Sequence, residues 1–359
     1  MIAVVIGTRA ELIRCATVLR YLESAKAHYV FIHTGQNPID DLVKAFGIQP
    51  SQYIALSALK DVTVNPSAAL YQIPVLVSCL RQTLHTIKAN CVVCHGDTFS
   101  TLGVALANRK NRWKTAHIEA GFRSHSILEP FPEELFRIMV DKRSDILFAP
   151  SLTAGQNLVR EKVDGNIVYS GSTVCDVVEQ AMQIIGESPG EDGFALVTAH
   201  RSENIYIRSR LKRILEIIGQ ISIPVIWPLH EVTRIQLMRL GLLGRLKKTR
   251  VRLLSHMNYF DFIKLLLKCK FVLTDGGSIE EESIILKKPC LLLRKRTERV
   301  EGLRTGITFL TNLDLSYSRE LIERMESKAI SFKNTKNPYR FNRSPSEIIA
   351  CTAIDVSSN

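Results

Sequence analysis

Cys91-Val92-Val93-Cys94-His95-Gly96-Asp97-Thr98 holds the strand and the loop from which the rest of this chain can be read. The apolar run has strand length, and the glycine and acid after it turn the chain out of the strand. The design recurs at Thr115-Ala116-His117-Ile118, which reads as a buried strand, with Glu119-Ala120-Gly121 as its loop. Such runs, separated by segments of helical period, mark parallel strands covered on both faces. In open parallel sheets ligands lie beyond the carboxyl ends of the strands, so Asp97 and Glu119 are expected in one crevice. A third acid follows in Pro130-Phe131-Pro132-Glu133-Glu134. Carboxylates gathered without metal-ligand spacing point to proton transfer or to stabilisation of a cationic transition state, because crowding drives their pKa values apart. Prolines followed by acids in a first helical turn also occur for structural reasons alone, and for Glu133 and Glu134 that alternative stays open.

Outward from this pair, apolar runs at 2–6, 29–33, 91–94, 115–118 and 146–149 alternate with helical periods. The series restarts at 194–198 and continues at 223–227, 251–254, 271–274 and 290–293. Between the two series, the stretch from Gly186 to Gly193, with its glycines, proline and acids, reads as a linker or exposed loop. A chain of 359 residues exceeds the usual span of one hydrophobic core, and 46% apolar residues supply two. The expectation is an α/β protein with two Rossmann-like doubly wound domains facing a central cleft. The first spans 1–170 and is joined by a C-terminal helix at 344–359; the second spans 171–343.

Composition removes several functions. The net charge of +12 suggests nucleic acid, yet the basic stretches Arg245 to Arg252 and Arg294 to Arg299 lack the interleaved aromatics or motif of such a surface. The first reads as a solvated helix face, whereas cations in the second, just after a strand, are placed to face an anionic substrate. Met1 to Gly7 reads as a strand rather than a secretion leader, and Lys264, Lys268 and Lys270 interrupt the most apolar C-terminal region, so a soluble cytoplasmic protein without a membrane span is expected. Eight scattered cysteines suit reduced core thiols. Cys91 and Cys94 have redox or zinc spacing but lie inside a strand pattern with no second pair at zinc spacing, so packing is expected and no metal site. No G-x-G-x-x-G follows a strand, which argues against a nicotinamide or flavin cofactor, and no cofactor is expected.

Anion-binding signals occur in both halves. Asp275-Gly276-Gly277-Ser278 follows a strand and opens a helix, so backbone N–H groups of Gly276, Gly277 and Ser278 can cradle a phosphate. Ser278 with Glu281 also forms a potential capping box, an alternative that leaves the paired glycines and Glu282 without a purpose. Glu282, a turn further on, can accept hydrogen bonds from ribose hydroxyls. In the first half, Gly7-Thr8-Arg9 repeats the strand, glycine and helix design and sets a guanidinium at the sheet edge. His200 and His230 follow consecutive strands and are candidates for the cleft. His28, His33, His85, His125 and His256 are read as structural.

Taken together, Gly7-Thr8-Arg9-Ala10-Glu11, Thr34-Gly35-Gln36, His95-Gly96-Asp97-Thr98, His117-Ile118-Glu119-Ala120-Gly121-Phe122-Arg123, Pro132-Glu133-Glu134 with Arg137, Gly171-Ser172-Thr173, His200-Arg201 with Glu203-Asn204, and Thr297-Glu298-Arg299 resemble the non-hydrolysing UDP-N-acetylglucosamine 2-epimerases. The similarity runs through nearly the whole chain in order. It implies a B-type glycosyltransferase-like fold with a UDP-binding second domain, a homodimer, no metal or redox cofactor, and reversible conversion of UDP-GlcNAc to UDP-ManNAc for polysaccharide precursors. By the same resemblance Asp97, Glu119, Glu133 and His200 are catalytic. Arg9, Arg14, Gln36, Arg137, His230, Gly276, Gly277, Ser278 and Glu282 are expected on the substrate. Departures from the family include Asp275-Gly276-Gly277-Ser278 for Asp-Ser-Gly-Gly, Arg14 for a lysine, Gln36-Asn37 for Gln-His, and Asn337-Pro338-Tyr339-Arg340-Phe341-Asn342 for Asn-Pro-Tyr-Gly-Asp-Gly. The last suggests an altered interdomain contact or a different sugar preference. The alternatives are a 2-epimerase of another UDP-acetamido sugar, deoxy or diacetamido uronic, and a catalytically silent nucleotide-sugar binding protein.

Overall fold

The computed structural model spans residues 1–359 and describes all of them except 57, 59–65, 109–111, 128, 187–189, 191, 247–249, 256, 328–334 and 359, and the side chains of 66–70 and 245. His256 therefore lies outside the described residues, as do parts of the expected linker 186–193 and of the basic stretch 245–252.

Two units divide the chain, Met1–Val177 with Tyr339–Asn359, and Val178–Pro338. The first contains strands β1 (Ile2–Ile6), β2 (Tyr29–His33), β3 (Gln52–Ala55), β4 (Cys91–His95), β5 (Lys114–Ile118), β6 (Ile146–Ala149) and β7 (Asn166–Tyr169). They form one parallel sheet in the order β3-β2-β1-β4-β5-β6-β7. The second contains β8 (Ala195–Thr198), β9 (Val225–Pro228), β10 (Val251–Leu254), β11 (Phe271–Thr274), β12 (Cys290–Leu292) and β13 (Thr308–Leu310). Its parallel order is β10-β9-β8-β11-β12-β13. The fold is α/β, as the alternating runs predict.

Strands inside each sheet carry unbroken apolar runs because helices cover both their faces; β1, β2, β4, β6, β8 and β11 are buried at every position. One face of the first sheet packs Val5, Val30 and Val92 against Leu76, Leu80 and Val104. The second unit packs Trp227, Phe271 and Leu291 with Leu211, Ile214 and Leu237. Each such side chain contributes about 1.5–3 kcal/mol through burial. The sequence did not reveal β3, β7 and β13. All three lie at a sheet edge, and β3 and β7 are largely exposed, so their residues lack the continuous apolar run.

Strand order reverses between β1 and β4 in the first sheet and between β8 and β11 in the second. At such a switch point successive connections leave in opposite directions and open a crevice beyond the carboxyl ends. Gly7-Thr8-Arg9 and Gly96-Asp97 follow β1 and β4, while Ala199-His200 and Asp275-Gly276-Gly277 follow β8 and β11. These four motifs therefore flank a switch, and the Glu119 loop lies one strand further on, after β5.

The chain returns to the first unit at Tyr339, where Asp176 receives Arg340 Nη1 at 2.6 Å, Ser344 Oγ at 2.8 Å and the Ser346 amide at 2.8 Å. Arg340, one of the departures from the family pattern, thus finds an ion-pair partner within its own unit. The helix Pro345–Ser358 then meets the helix Arg9–Ser24, with Ser346 Oγ 2.7 Å from Thr17 Oγ1.

Gly121, in the loop after β5, has φ +85°, and a Cβ there would collide with the Ala154 carbonyl. Gly121→Ala should lower unfolding free energy by on the order of 2–5 kcal/mol, combining left-handed backbone strain with overpacking. Urea unfolding checks this; a loss below about 0.5 kcal/mol, the range of an ordinary surface change, would contradict the packing.

Candidate active site

At the first switch point, Thr8 caps the helix Arg9–Ser24 and forms a capping box with Glu11. Glu11 Oε2 accepts the amides of Gly7 at 2.8 Å and Thr8 at 2.7 Å, and its Oε1 accepts Thr98 Oγ1 at 2.6 Å. One buried carboxyl thus ties the loop after β1 to the loop after β4. Burial pushes its pKa up, against the hydrogen bonds from Thr98, Gly7 and Thr8. Sequence reasoning did not assign Glu11 to the site, although the Thr8-x-x-Glu11 spacing is itself a capping-box signal.

Register brings the acids of the next loops together. His95 pairs with Ile118, and the Gly96 amide donates to the Ile118 carbonyl at 3.0 Å, so Asp97 and Glu119 leave neighbouring strand ends. Glu119 adopts φ +69° and forms a mostly buried ion pair with Arg14, and His95 Nε2 lies 3.8 Å from its other oxygen. Asp97 lies 2.5 Å from Arg137 Nη2. Arg14 and Arg137, expected on the substrate, therefore each sit against a carboxylate of the site.

Arg137 also donates to Glu134 Oε2 at 3.1 Å, and Glu134 accepts the amides of Ser124 and His125 at 3.0 Å. Glu134 is thus the structural acid of its pair, bracing the loop after β5. Glu133, half-buried beside it, opens the helix Glu133–Asp141, which has no side-chain cap. Gln36 lies in the loop after β2, held where the Asn37 amide donates to the Gly7 carbonyl at 2.9 Å. Arg9 stands apart from the acids. Its guanidinium forks onto Asp41 at 2.6 and 2.7 Å, holding that carboxyl below its usual range.

In the second unit, Asp275 is fully buried. It accepts the amides of His200 at 3.0 Å and Arg201 at 3.0 Å and the side-chain nitrogen of Asn204 at 3.0 Å, fixing the β8 loop against the β11 loop. The half-exposed His200 ring lies over His230, with centroids 4.8 Å apart at 31°. A Cβ on Gly276 would come 3.5 Å from His200 Cε1, an ordinary contact, which places the ring beside the β11 loop.

The helix Gly277–Ile285 has Gly276 as N-cap and no side-chain cap. Ser278 is therefore inside the first turn, and the capping box anticipated for Ser278 and Glu281 does not form. Anion binding at the backbone of Gly276 to Ser278 remains the use this helix start suits.

Behind the loop lies a buried charge cluster. Glu298 receives Arg294 Nη2 at 2.9 Å and Arg299 Nη1 at 2.5 Å, Glu281 lies 3.4 Å from Arg299 Nε, and Glu280 accepts Thr297 Oγ1 at 2.8 Å. Glu282 is buried on the same helix. Arg294 and Arg299, expected to face an anionic substrate, are instead buried among these acids, while Lys295 and Arg296 are exposed. The polar run Arg294 to Arg299 is what a sequence reader can see, but not that its charges turn inward.

Among the described residues no group of three or more His, Cys, Asp or Glu side chains has the arrangement of a metal site. Cys91 and Cys94 are buried free thiols, with burial pushing Cys91 up to about 12 and Cys94 well above its ordinary value, consistent with packing. His33 is hydrogen-bonded to the Asn37 carbonyl at 2.9 Å, whereas His28, His85 and His125 are exposed. Among the described residues no helix is long and apolar enough to cross a membrane.

The first unit thus sets acids against arginines beside its switch point, and the second sets a glycine-led helix start beside a pair of histidines at its own. The sequence profile described as UDP-N-acetylglucosamine 2-epimerase matches residues 20–353. A UDP-N-acetylglucosamine 2-epimerase from Methanocaldococcus jannaschii is 30% identical, with 97% of each chain covered. A UDP-2,3-diacetamido-2,3-dideoxy-D-glucuronate 2-epimerase from Pseudomonas aeruginosa is 33% identical over 86% of this chain and 87% of its own. The crystal structure of the Methanocaldococcus jannaschii UDP-GlcNAc 2-epimerase in complex with UDP-GlcNAc and UDP superposes with a TM-score of 0.87 at 28% identity, covering 98% of each chain. The chain belongs to the UDP-N-acetylglucosamine 2-epimerase family.

Burial pushes Glu280 up to about 8, against the opposing pull of Arg299 and Thr297. Between its ordinary value near 4.5 and about 8, the folded chain keeps this proton and the unfolded chain has released it. With more protons bound in the native state, this group makes stability fall as pH rises through that window. Glu280→Gln should therefore flatten the decline in melting temperature across the window. An unchanged slope would mean that Glu280 is not held protonated.

Proposed function

We propose that this chain interconverts UDP-N-acetylglucosamine and UDP-N-acetylmannosamine by elimination and re-addition of UDP, as a cytoplasmic homodimer supplying precursors of cell-surface polysaccharide. The observation that carries the proposal is the pairing of Glu119 with Arg14 and of Asp97 with Arg137 at the adjacent ends of β5 and β4, beside the first switch point. Membership in the 2-epimerase family supports it.

The chemistry calls for such acids. C2 of the sugar is not beside a carbonyl, so a carboxylate cannot remove its hydrogen from the intact substrate at a useful rate. When the C1–O bond breaks and UDP departs with the bonding pair, the oxocarbenium ion at C1 acidifies the neighbouring C2–H. A carboxylate takes that proton, leaving a 2-acetamidoglycal. Return of UDP to C1 and of a proton to the opposite face of C2 completes the epimerisation. Asp97, Glu119 and Glu133 share proton transfer and cation stabilisation, as acids do in glycosidases. His200, Arg9 and the amides of Gly276 to Ser278 hold the departing diphosphate, with His230 behind His200, and Glu282 meets the ribose. Arg14 and Arg137 set the acids. The partly exposed fork of Arg9 on Asp41 is worth only about 0–1 kcal/mol, so a diphosphate can recruit that guanidinium.

A second reading, epimerisation of a diacetamido uronic UDP-sugar, is favoured by the 33% identity to the Pseudomonas aeruginosa relative. Comparing kcat/KM for the two sugars decides between them. For the chemistry itself, the protein is incubated with UDP-GlcNAc in deuterium oxide without an acceptor, and both C2 epimers are followed by NMR. The wild type should place deuterium at C2 of both, and Asp97→Asn should slow this by at least about 100-fold. Unchanged exchange in Asp97→Asn would remove Asp97 from the mechanism. Thermal stabilisation by UDP with no exchange in the wild type would identify a binding protein instead.

A further inference from the structure

His117 was part of a motif in the sequence but had no role there, and its surroundings determine one. The ring is fully buried on β5. Nδ1 lies 2.7 Å from Asp141 Oδ1, and Nε2 lies 2.7 Å from the Gly96 carbonyl oxygen. A peptide carbonyl can only accept, so Nε2 carries a hydrogen. Asp141 also receives the Gly121 amide at 3.1 Å and Arg123 Nη2 at 2.7 Å. Burial opposes charge on Asp141, but His117 and Arg123 outweigh it and hold the carboxyl below its usual range. Asp141 is therefore an acceptor at both oxygens, and Nδ1 carries a hydrogen too.

We infer that His117 is a standing imidazolium that positions the loops bearing Asp97 and Glu119. Its Nε2–H grips the carbonyl of the peptide that leads directly into Asp97. Its Nδ1–H grips Asp141, whose other oxygen holds the amide of Gly121, two residues after Glu119. Glu119 occupies a left-handed backbone conformation, φ +69°, which is strained for a residue other than glycine and needs such outside restraint. The charges also balance. Asp141 and Glu161 are matched by Arg123, which forks onto Glu161 at 2.7 Å at both oxygens, and by a protonated His117. Cys94, the register partner of His117 on β4, is a thiol that burial keeps protonated. A neutral ring would face either the carbonyl or the carboxylate with a lone pair.

The protonation state follows from these contacts and from the charge Arg123 holds on Asp141, whereas the effect on turnover rests on the epimerase proposal. Protein labelled with 15N at histidine and read by NMR should show two N–H correlations for His117. The assignment comes from their loss in His117→Gln. A single protonated nitrogen in the native protein would overturn the inference. In Asp141→Asn the ring should lose one of these hydrogens; an unchanged doubly protonated ring would show that Asp141 does not impose the state. For catalysis, His117→Gln should lower kcat about 10- to 100-fold while KM stays within about twofold, the signature of misplaced acids. If the wild type epimerises and kcat of that variant is unchanged, the positioning role fails. If the wild type does not epimerise any UDP-sugar, the functional proposal fails and the NMR result still decides the charge on His117.

Discussion

Asp97 and Glu119 lie beyond the ends of parallel strands where water reaches them only in part, so each needs a partner that holds its charge. Arg14 against Glu119 and Arg137 against Asp97 meet that need. Taking away one partner of a mostly buried pair leaves an uncompensated charge and costs about 3–5 kcal/mol, whereas the intact pair contributes little net stability. Such pairs are retained where charge at a defined place matters more than stability. That is the requirement of chemistry that makes and neutralises a carbocation at each turnover.

The rest of the first unit can be understood as a frame for those pairs. Glu11 fastens the loop after β1 to the loop after β4, Glu134 braces the loop after β5 through two amides, and His117 with Asp141 fastens that loop to the one after β4. Parallel order places these loops side by side without any of them having to be long. The second unit uses the same topology for another end, with Asp275 in place of the frame: it draws the histidine loop onto the glycine loop and leaves the helix start Gly277–Ile285 without a side-chain cap.

Much of this was legible in the residues. Interior strands announce themselves because burial on both faces demands continuous apolar runs, and the loops that follow them carry the candidate acids and glycines. Edge strands such as Gln52–Ala55 and Asn166–Tyr169 were silent because half their surface is in solvent and no hydrophobic pattern is required of them. Ion-pair partners were silent for another reason. Arg14 precedes Glu119 by far more than a helical turn, and only the sheet order brings the helix Arg9–Ser24 beside the end of β5. The charges of Arg294 and Arg299 were read as facing a ligand, yet they face inward onto Glu298. Local sequence shows which residues are charged; the direction they point depends on packing. His117 was likewise unreadable, since its protonation follows from two acceptors supplied by distant segments.

Cationic clamps keep these acids charged, and the proposed chemistry sets that charge against a sugar made positive when the bond between C1 and the diphosphate breaks. UDP-GlcNAc carrying 18O in the bridging oxygen of that bond tests its cleavage directly. With that bond broken, the label should move into a non-bridging position of the β-phosphate as the C2 epimer appears, because a departed diphosphate can turn before it returns. Epimerisation at C2 with the label still wholly in the bridge would contradict the account.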